Sequence, residues 1–242
     1  MERSTPFSYQ CNQCGRCCHN QVITLSPYDV IRLAGAAGIS TAEAVARFTI
    51  GRGATLKFEQ DGSCVALTGT ICTVHCGRPL ACRLYPLGLE YRRQGGERYV
   101  LVEAAIGSMG IYGDEGTVED FLGAQGVELY LAMNHRYAEL LASFRARIAE
   151  IVDFDVVEPR EFWRRAVREA LAETGFEPSR LIDALFDADR FSFHASSETE
   201  LVENHIAGLR RLILEERDAV QLASAAVRLA VSLGYSPLEV IS

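Results

Sequence analysis

Eight cysteines carry the reactive potential of this 242-residue chain, and all of them lie between Cys11 and Cys82. The first block reads Cys11-Asn-Gln-Cys14-Gly-Arg-Cys17-Cys18. Cys64 follows alone after Asp61-Gly62, and the second block runs from Cys72-Thr-Val-His75-Cys76 to Cys82. Cysteines used only for packing would be scattered, so this clustering predicts a metal site. Thiolates are soft donors that select zinc, copper(I) and iron–sulfur clusters over hard cations. A Cys-x-x-Cys turn offers two sulfurs to one centre, and four sulfurs close a tetrahedral zinc site or hold one [4Fe–4S] cube. Cys11, Cys14 and Cys17 follow the three-thiol run that bacterial ferredoxins place on a single cluster. Adjacent Cys17 and Cys18 point differently, which gives Cys18 to another centre or a reserve role. All eight are candidate metal ligands, enough for two four-thiolate centres or for one centre with spare thiols. The plain alternative is a set of buried or disulfide-forming cysteines; spacing and an expected reducing compartment argue against it.

Around these ligands stand weaker candidates. Arg78 and Arg83 flank the second block, where positive charge would offset a thiolate-ligated centre; surface or ion-paired arginines are the even alternative. Tyr85-Pro86 is expected to set the exit turn and fill space beside the site. His19 and His75 neighbour cysteines and read as hydrogen-bonding or packed rings rather than ligands. His135, His194 and His205 have no spaced partner and read as structural or surface groups, and Asn134-His135 receives no catalytic role.

The elements that must position the thiols can be read in part. Val22–Leu25 reads as a short extended segment. Ser26-Pro27-Tyr28-Asp29 opens a helix with a cap, a proline at the first helical position and a capping-box partner, and Gly38 should end it. Ser40–Glu43 is a second capping box for a short helix ending near Phe48, after which Gly51-Arg-Gly53 breaks the pattern. Leu56–Glu59 predicts a strand running into the Asp61-Gly62 turn, with Cys64 just past the corner. Leu87–Arg92 and Arg98–Glu103 flank a hairpin turn at Arg93–Gly96. The glycine-rich stretch from Gly107 to Gly116 lacks a phosphate-loop ending and is expected to be a loop. From Thr117 the chain reads as wholly helical, with one helix from Thr117 towards Ile151 and another from Pro159 to Gly175. A third opens at Pro178, and a long pattern from Ser197 breaks near Glu215–Asp218. The predicted class is α+β, mostly α. A small cysteine-rich domain with short helices and a β-hairpin spans 1–115, and an all-helical lobe spans 116–242.

Composition bounds the function. A net charge of −8 argues against a nucleic-acid surface, which would need clustered lysine and arginine. No run approaches the roughly 18–20 apolar residues of a membrane span, and the N-terminus has no apolar leader core. The expected setting is cytoplasmic, with no nucleic acid and no membrane, and with a protein partner or protein substrate at the helical lobe.

The order Cys11-x2-Cys14-Gly15-x-Cys17-Cys18, Asp61-Gly62-x-Cys64, Cys72-Thr-Val-His75 and Arg78-Pro79-x2-Cys82-Arg83-x-Tyr85-Pro86 resembles the YkgJ-type CxxCxxCC proteins, over about residues 9–115. That family is described as chelating zinc or iron and shares this block with flagellin lysine N-methylases. Two departures stand out. Many relatives carry tyrosine and an acidic residue where this chain has His75 and Cys76, and many carry Cys-Pro-Gly where it has Ala105-Ile106-Gly107. Cys76 is a candidate replacement for that missing thiol. The methylase branch implies a [4Fe–4S] cluster and tips the expectation from zinc towards iron–sulfur. Two functions remain open. One is redox or cluster-assisted group transfer, including S-adenosylmethionine-dependent protein lysine methylation; such an enzyme would be an iron–sulfur oxidoreductase or methyltransferase-like. The other is a non-catalytic zinc-binding structural or metal-handling module. Thiol–disulfide exchange lacks the βαβ context it usually requires.

Overall fold

The chain enters on β1 (Pro6–Gln10), followed by a 3-10 turn at Arg16–Cys18 that carries the end of the first cysteine block. The computed structural model describes residues 1–91, 96–171, 179–191 and 195–236. Helix α1 (Pro27–Ala37) begins as its sequence requires. The Ser26 hydroxyl accepts the Asp29 N–H, the Asp29 carboxylate accepts the Ser26 N–H, and Gly38 closes the helix at φ 66°. Ser40 and Glu43 form the same reciprocal cap on α2 (Thr41–Phe48). Each box satisfies backbone donors that a bare helix end leaves unpaired.

Short antiparallel pairs then build the cysteine region. Strands β2 (Thr49–Ile50) and β3 (Thr55–Leu56) pair with each other, as do β4 (Leu67–Thr68) and β5 (Ile71–Cys72). The strand expected over Leu56–Glu59 stops early. Phe58 instead bridges directly to Cys64 across the Asp61-Gly62 corner, and the Glu59 N–H donates to the Ser63 carbonyl. A 3-10 turn at His75–Gly77 leads to the short helix α3 (Leu80–Leu84). Strands β6 (Leu87–Tyr91) and β7 (Glu97–Leu101) form the expected hairpin, registered from Leu87 opposite Leu101 to Tyr91 opposite Glu97. Most of its turn lies outside the described residues.

The glycine-rich connector is corrected by the structure. Its second half is β8 (Ile111–Thr117), antiparallel to β1. The strand is exposed along nearly its whole length, so it carries no alternation of apolar and polar residues to announce it.

Beyond β8 the described chain is helical, and the long helix expected from Thr117 to Ile151 is three. They are α4 (Val118–Gln125), α5 (Val127–Ala138) and α6 (Leu140–Ile151). Gly126 at φ 64° ends the first, and the chain turns again at Glu139. Helix α7 (Pro159–Leu171) starts at its proline; the Gly175 stop and the Pro178 start fall outside the described residues, as does His194. Ser179 caps α8 (Arg180–Ala184), Ser197 caps α9 (Glu198–Glu215), and Asp218 caps α10 (Ala219–Ser232) after the break near Glu215–Asp218.

Two apolar cores hold this arrangement. The larger joins Tyr28 and Leu33 of α1, Cys64 and Val74 of the cysteine region, and the inward faces of α5 to α10. Within it α10 is buried along most of its length. Its alanines, Ala223, Ala225, Ala226 and Ala230, let α6 and α7 pack against it. The smaller core seats Phe7, Leu84, Leu87 and Tyr99 against Val118, Phe121 and Leu122 of α4. The fold is therefore α plus β and mostly α, with small hairpins and a helical C-terminal region.

Candidate metal centre

Backbone pairing brings the first cysteine block to Cys64. The Cys64 N–H donates to the Cys18 carbonyl at 2.8 Å, His19 bridges to Ser63, and the Asn20 N–H reaches the Gly62 carbonyl at 2.8 Å. The second block arrives through β5, which places Cys72 opposite Leu67, and through α3, which carries Cys82. One cavity of about 1080 Å³ results, and Cys11, Cys17, Cys18, Cys64, Cys72 and Cys82 all line it. Cys14 and Cys76 stand outside its wall.

Electrostatics binds five of these thiols into one group. Cys18 senses Cys17, Cys82 and Cys64, while Cys82 senses Cys64, Cys17 and Cys72. Burial pushes the Cys64, Cys72 and Cys82 thiols up. A hydrogen bond between Cys17 and Cys18 splits that pair, lowering Cys17 to about 7 and raising Cys18. Cys14, near the surface, is lowered by backbone N–H groups of Met109 and Arg16.

A local pattern recurs along both blocks. The Gln13 N–H donates to the Cys11 sulfur at 3.4 Å, and the backbone two residues after Cys14, Cys64 and Cys72 pulls each of those thiols' pKa values down, against burial at Cys64 and Cys72. Such turns favour thiolate over thiol, because a hydrogen bond to the charged form stabilises it. Among the described residues, no three His, Cys, Asp or Glu side chains already stand grouped around a single ion position. Ligation requires the thiols to lose their protons, so metal binding is coupled to pH.

The supporting residues divide by what they touch. Arg83 pins backbone: its guanidinium donates to the carbonyls of Cys76 (2.6 Å), Gln125 (2.7 Å) and Arg78 (3.2 Å) and lies over the Tyr130 ring. Arg78 lines the cavity, donates to Gln125 Oε1 at 2.6 Å, and is lowered chiefly by burial and then by Arg83. Neither arginine makes an ion pair with a carboxylate among the described residues. Tyr85 also lines the cavity and accepts the Ala105 N–H at 3.2 Å, which places Ala105 on the same lining. His19 Nδ1 pairs with the Gly15 carbonyl, and His75 Nδ1 lies 3.3 Å from Arg78, with burial lowering the ring's pKa. His135 is exposed, whereas His205 is buried in the core between Tyr137 and Ala184.

Sequence reasoning missed three contributors. Asp29, read only as a capping partner, also accepts the Leu80 N–H at 2.7 Å and so fixes the start of the helix that bears Cys82. Gln125 receives both arginines. Gly77 lets the turn after Cys76 lie directly on α1: a Cβ there would sit 2.0 Å from the Arg32 carbonyl oxygen. Only the capping box at Asp29 left a signal, and it did not point to α3.

A cavity walled by cysteines from three segments offers soft sulfur donors of the kind that select zinc or iron–sulfur centres. Residues 10–99 match the CxxCxxCC family model, described as "Putative zinc- or iron-chelating domain". No curated protein and no solved structure matches the chain. Among the described residues no helix is long and apolar enough to cross a membrane.

Proposed function

We propose that the cavity thiols hold an iron–sulfur cluster, a [4Fe–4S] cube, in a protein that carries out redox or cluster-assisted group-transfer chemistry. One observation carries the reading: Cys17, Cys18, Cys64, Cys72 and Cys82 come from three segments to one cavity and share one electrostatic group. Soft sulfur donors in this number suit iron–sulfur or zinc and exclude hard cations as the preferred occupant. Backbone hydrogen bonding to the sulfurs supports the cluster, because hydrogen bonds to sulfur and burial are what tune a cluster's potential. Arg78, half-buried on the same wall, would offset the charge of ligated thiolates, and Tyr85 would close the wall beside it.

Zinc is the second reading, supported by the same donor set and by the family description. The chain would then be a structural or metal-handling module. S-adenosylmethionine-dependent lysine methylation rests on the resemblance alone, and no residue of this chain is assigned to that cofactor. Purification without oxygen separates the readings. The expected product is brown, with broad visible absorption and with iron and acid-labile sulfide in equal amounts. A colourless protein carrying stoichiometric zinc would overturn the iron–sulfur assignment.

A further inference from the structure

The cavity is larger than the thiols need. Besides the thiols its lining includes an apolar set, the inner chamber: Leu84 of α3, Leu87 and Leu89 of β6, Phe121 of α4, and Val231 and Leu233 at the end of α10. Asn134 of α5 also lines this cavity. It is only 5% exposed, and its side-chain oxygen has no hydrogen-bond partner. A second cavity of about 160 Å³ also borders Asn134.

We propose that this inner chamber is a binding pocket for a small, neutral, largely apolar organic molecule bearing one N–H or O–H donor, which Asn134 Oδ1 receives. Leaving a buried acceptor unmatched costs about 1–3 kcal/mol, so native structures retain such groups where something answers them. Two polar residues of the same lining are already engaged. Gln125 Oε1 takes Arg78, and the Ser232 hydroxyl donates to the Leu229 carbonyl at 2.8 Å. The charged groups on the lining are engaged or exposed: Asp29 accepts the Ser26 and Leu80 N–H groups, Arg78 donates to Gln125, and His75 and Glu103 are exposed, so the six apolar side chains favour a neutral ligand. An apolar enclosure with one oriented polar group is the usual construction of a small-molecule site. The argument uses no cysteine, so it does not depend on which metal the thiols hold.

The test uses indole and benzothiophene, fused bicyclic probes of similar shape, of which only indole carries a donor. Both are titrated calorimetrically into the full chain purified without oxygen, with metal content measured in parallel. Indole should bind saturably and about 10-fold more tightly than benzothiophene, the ratio one hydrogen bond of ~1.4 kcal/mol supplies. Asn134→Leu should erase that ratio while benzothiophene still binds, and Val231→Phe, which adds bulk at another residue lining the same cavity, should exclude both. If Asn134→Leu does not fold, the two probes on the unaltered chain and the Val231→Phe block decide. Absence of saturable binding by either probe, or an indole preference that survives Asn134→Leu, overturns the proposal and leaves Asn134 to ordered water.

Discussion

Gly77 offers the sharpest test of how the second cysteine block is seated. It lies between Cys76 and Arg78, in the 3-10 turn that rests on α1. A Cβ at this position would stand 2.0 Å from the Arg32 carbonyl oxygen and 2.6 Å from the Ala36 Cβ. Neither neighbour is the tip of a flexible side chain, so Gly77→Ala forces the turn and the helix apart by more than an ångström. Overpacking of this kind costs about 1–3 kcal/mol, and contact with backbone puts this case at the upper end. Gly69→Ala supplies the control within the same block. Gly69 has φ 62° but nothing within 4 Å of its would-be Cβ, so that substitution carries only the left-handed backbone cost, ~1 kcal/mol. Urea unfolding followed by circular dichroism should show Gly77→Ala less stable than Gly69→Ala by about 2 kcal/mol, with unchanged slope. Metal per chain should fall in Gly77→Ala alone, because the displaced turn carries Cys72 and Cys82 away from Cys17 and Cys18. Equal stability and equal metal in the two variants would refute the seating of this block on α1.

Two further outcomes follow from the site and the core. Cys82→Ser removes a thiol at the centre of the electrostatic group and should abolish most metal loading, whereas Cys76→Ser, exposed and off the cavity wall, should retain it. Metal analysis after anoxic purification decides, and loss in Cys76→Ser would instead support that residue as the substitute for the thiol missing near Ala105. His205 should make stability depend on pH. It is fully buried, accepts the Tyr137 hydroxyl at 2.7 Å and donates to the Ala184 carbonyl at 2.8 Å, and burial depresses its pKa to about 4. The unfolded chain takes up that proton near pH 6.5, so this contribution is complete above about pH 6.5 and is lost as pH falls towards 4, about 3 kcal/mol in all. Urea unfolding of the unaltered chain and of His205→Leu should give stability profiles that diverge across this window; parallel profiles would remove His205 as the cause.

How much was legible in the sequence depended on how local the cause was. The boxes at Ser26–Asp29 and Ser40–Glu43 lie within four residues, and both helices begin where they dictate. The β6–β7 hairpin was legible for the same reason. Strand β8 was not, because its partner β1 lies about a hundred residues away and its exposed side chains leave no periodicity. Gly126 was passed over because a glycine within a helical pattern is tolerated as often as it stops one; here only the left-handed backbone distinguishes the two. At the site, clustering of the eight cysteines was plain, and the family match over 10–99 agrees with it. Which of them share a wall was not, since spacing is silent about the side of a turn on which each sulfur lies. Asn134 had no sequence signal at all.

Asp29 shows why the most legible element and the candidate centre belong to one construction. Its carboxylate is buried beside the cavity yet has no ion pair among the described residues; it accepts the Ser26 N–H, the Ser26 hydroxyl and the Leu80 N–H instead. Burial pushes its pKa up, while these donors and the Arg83 charge act in the opposite direction. One oxygen thus finishes the cap of α1 and the other holds the first turn of α3, two residues before Cys82. A capping residue with a single duty would sit at the surface, as Glu43 does in α2. The depth of Asp29 follows from its second duty: it fixes the distance from α1 to a cysteine more than fifty residues further along the chain, which no pairing of short strands could do alone.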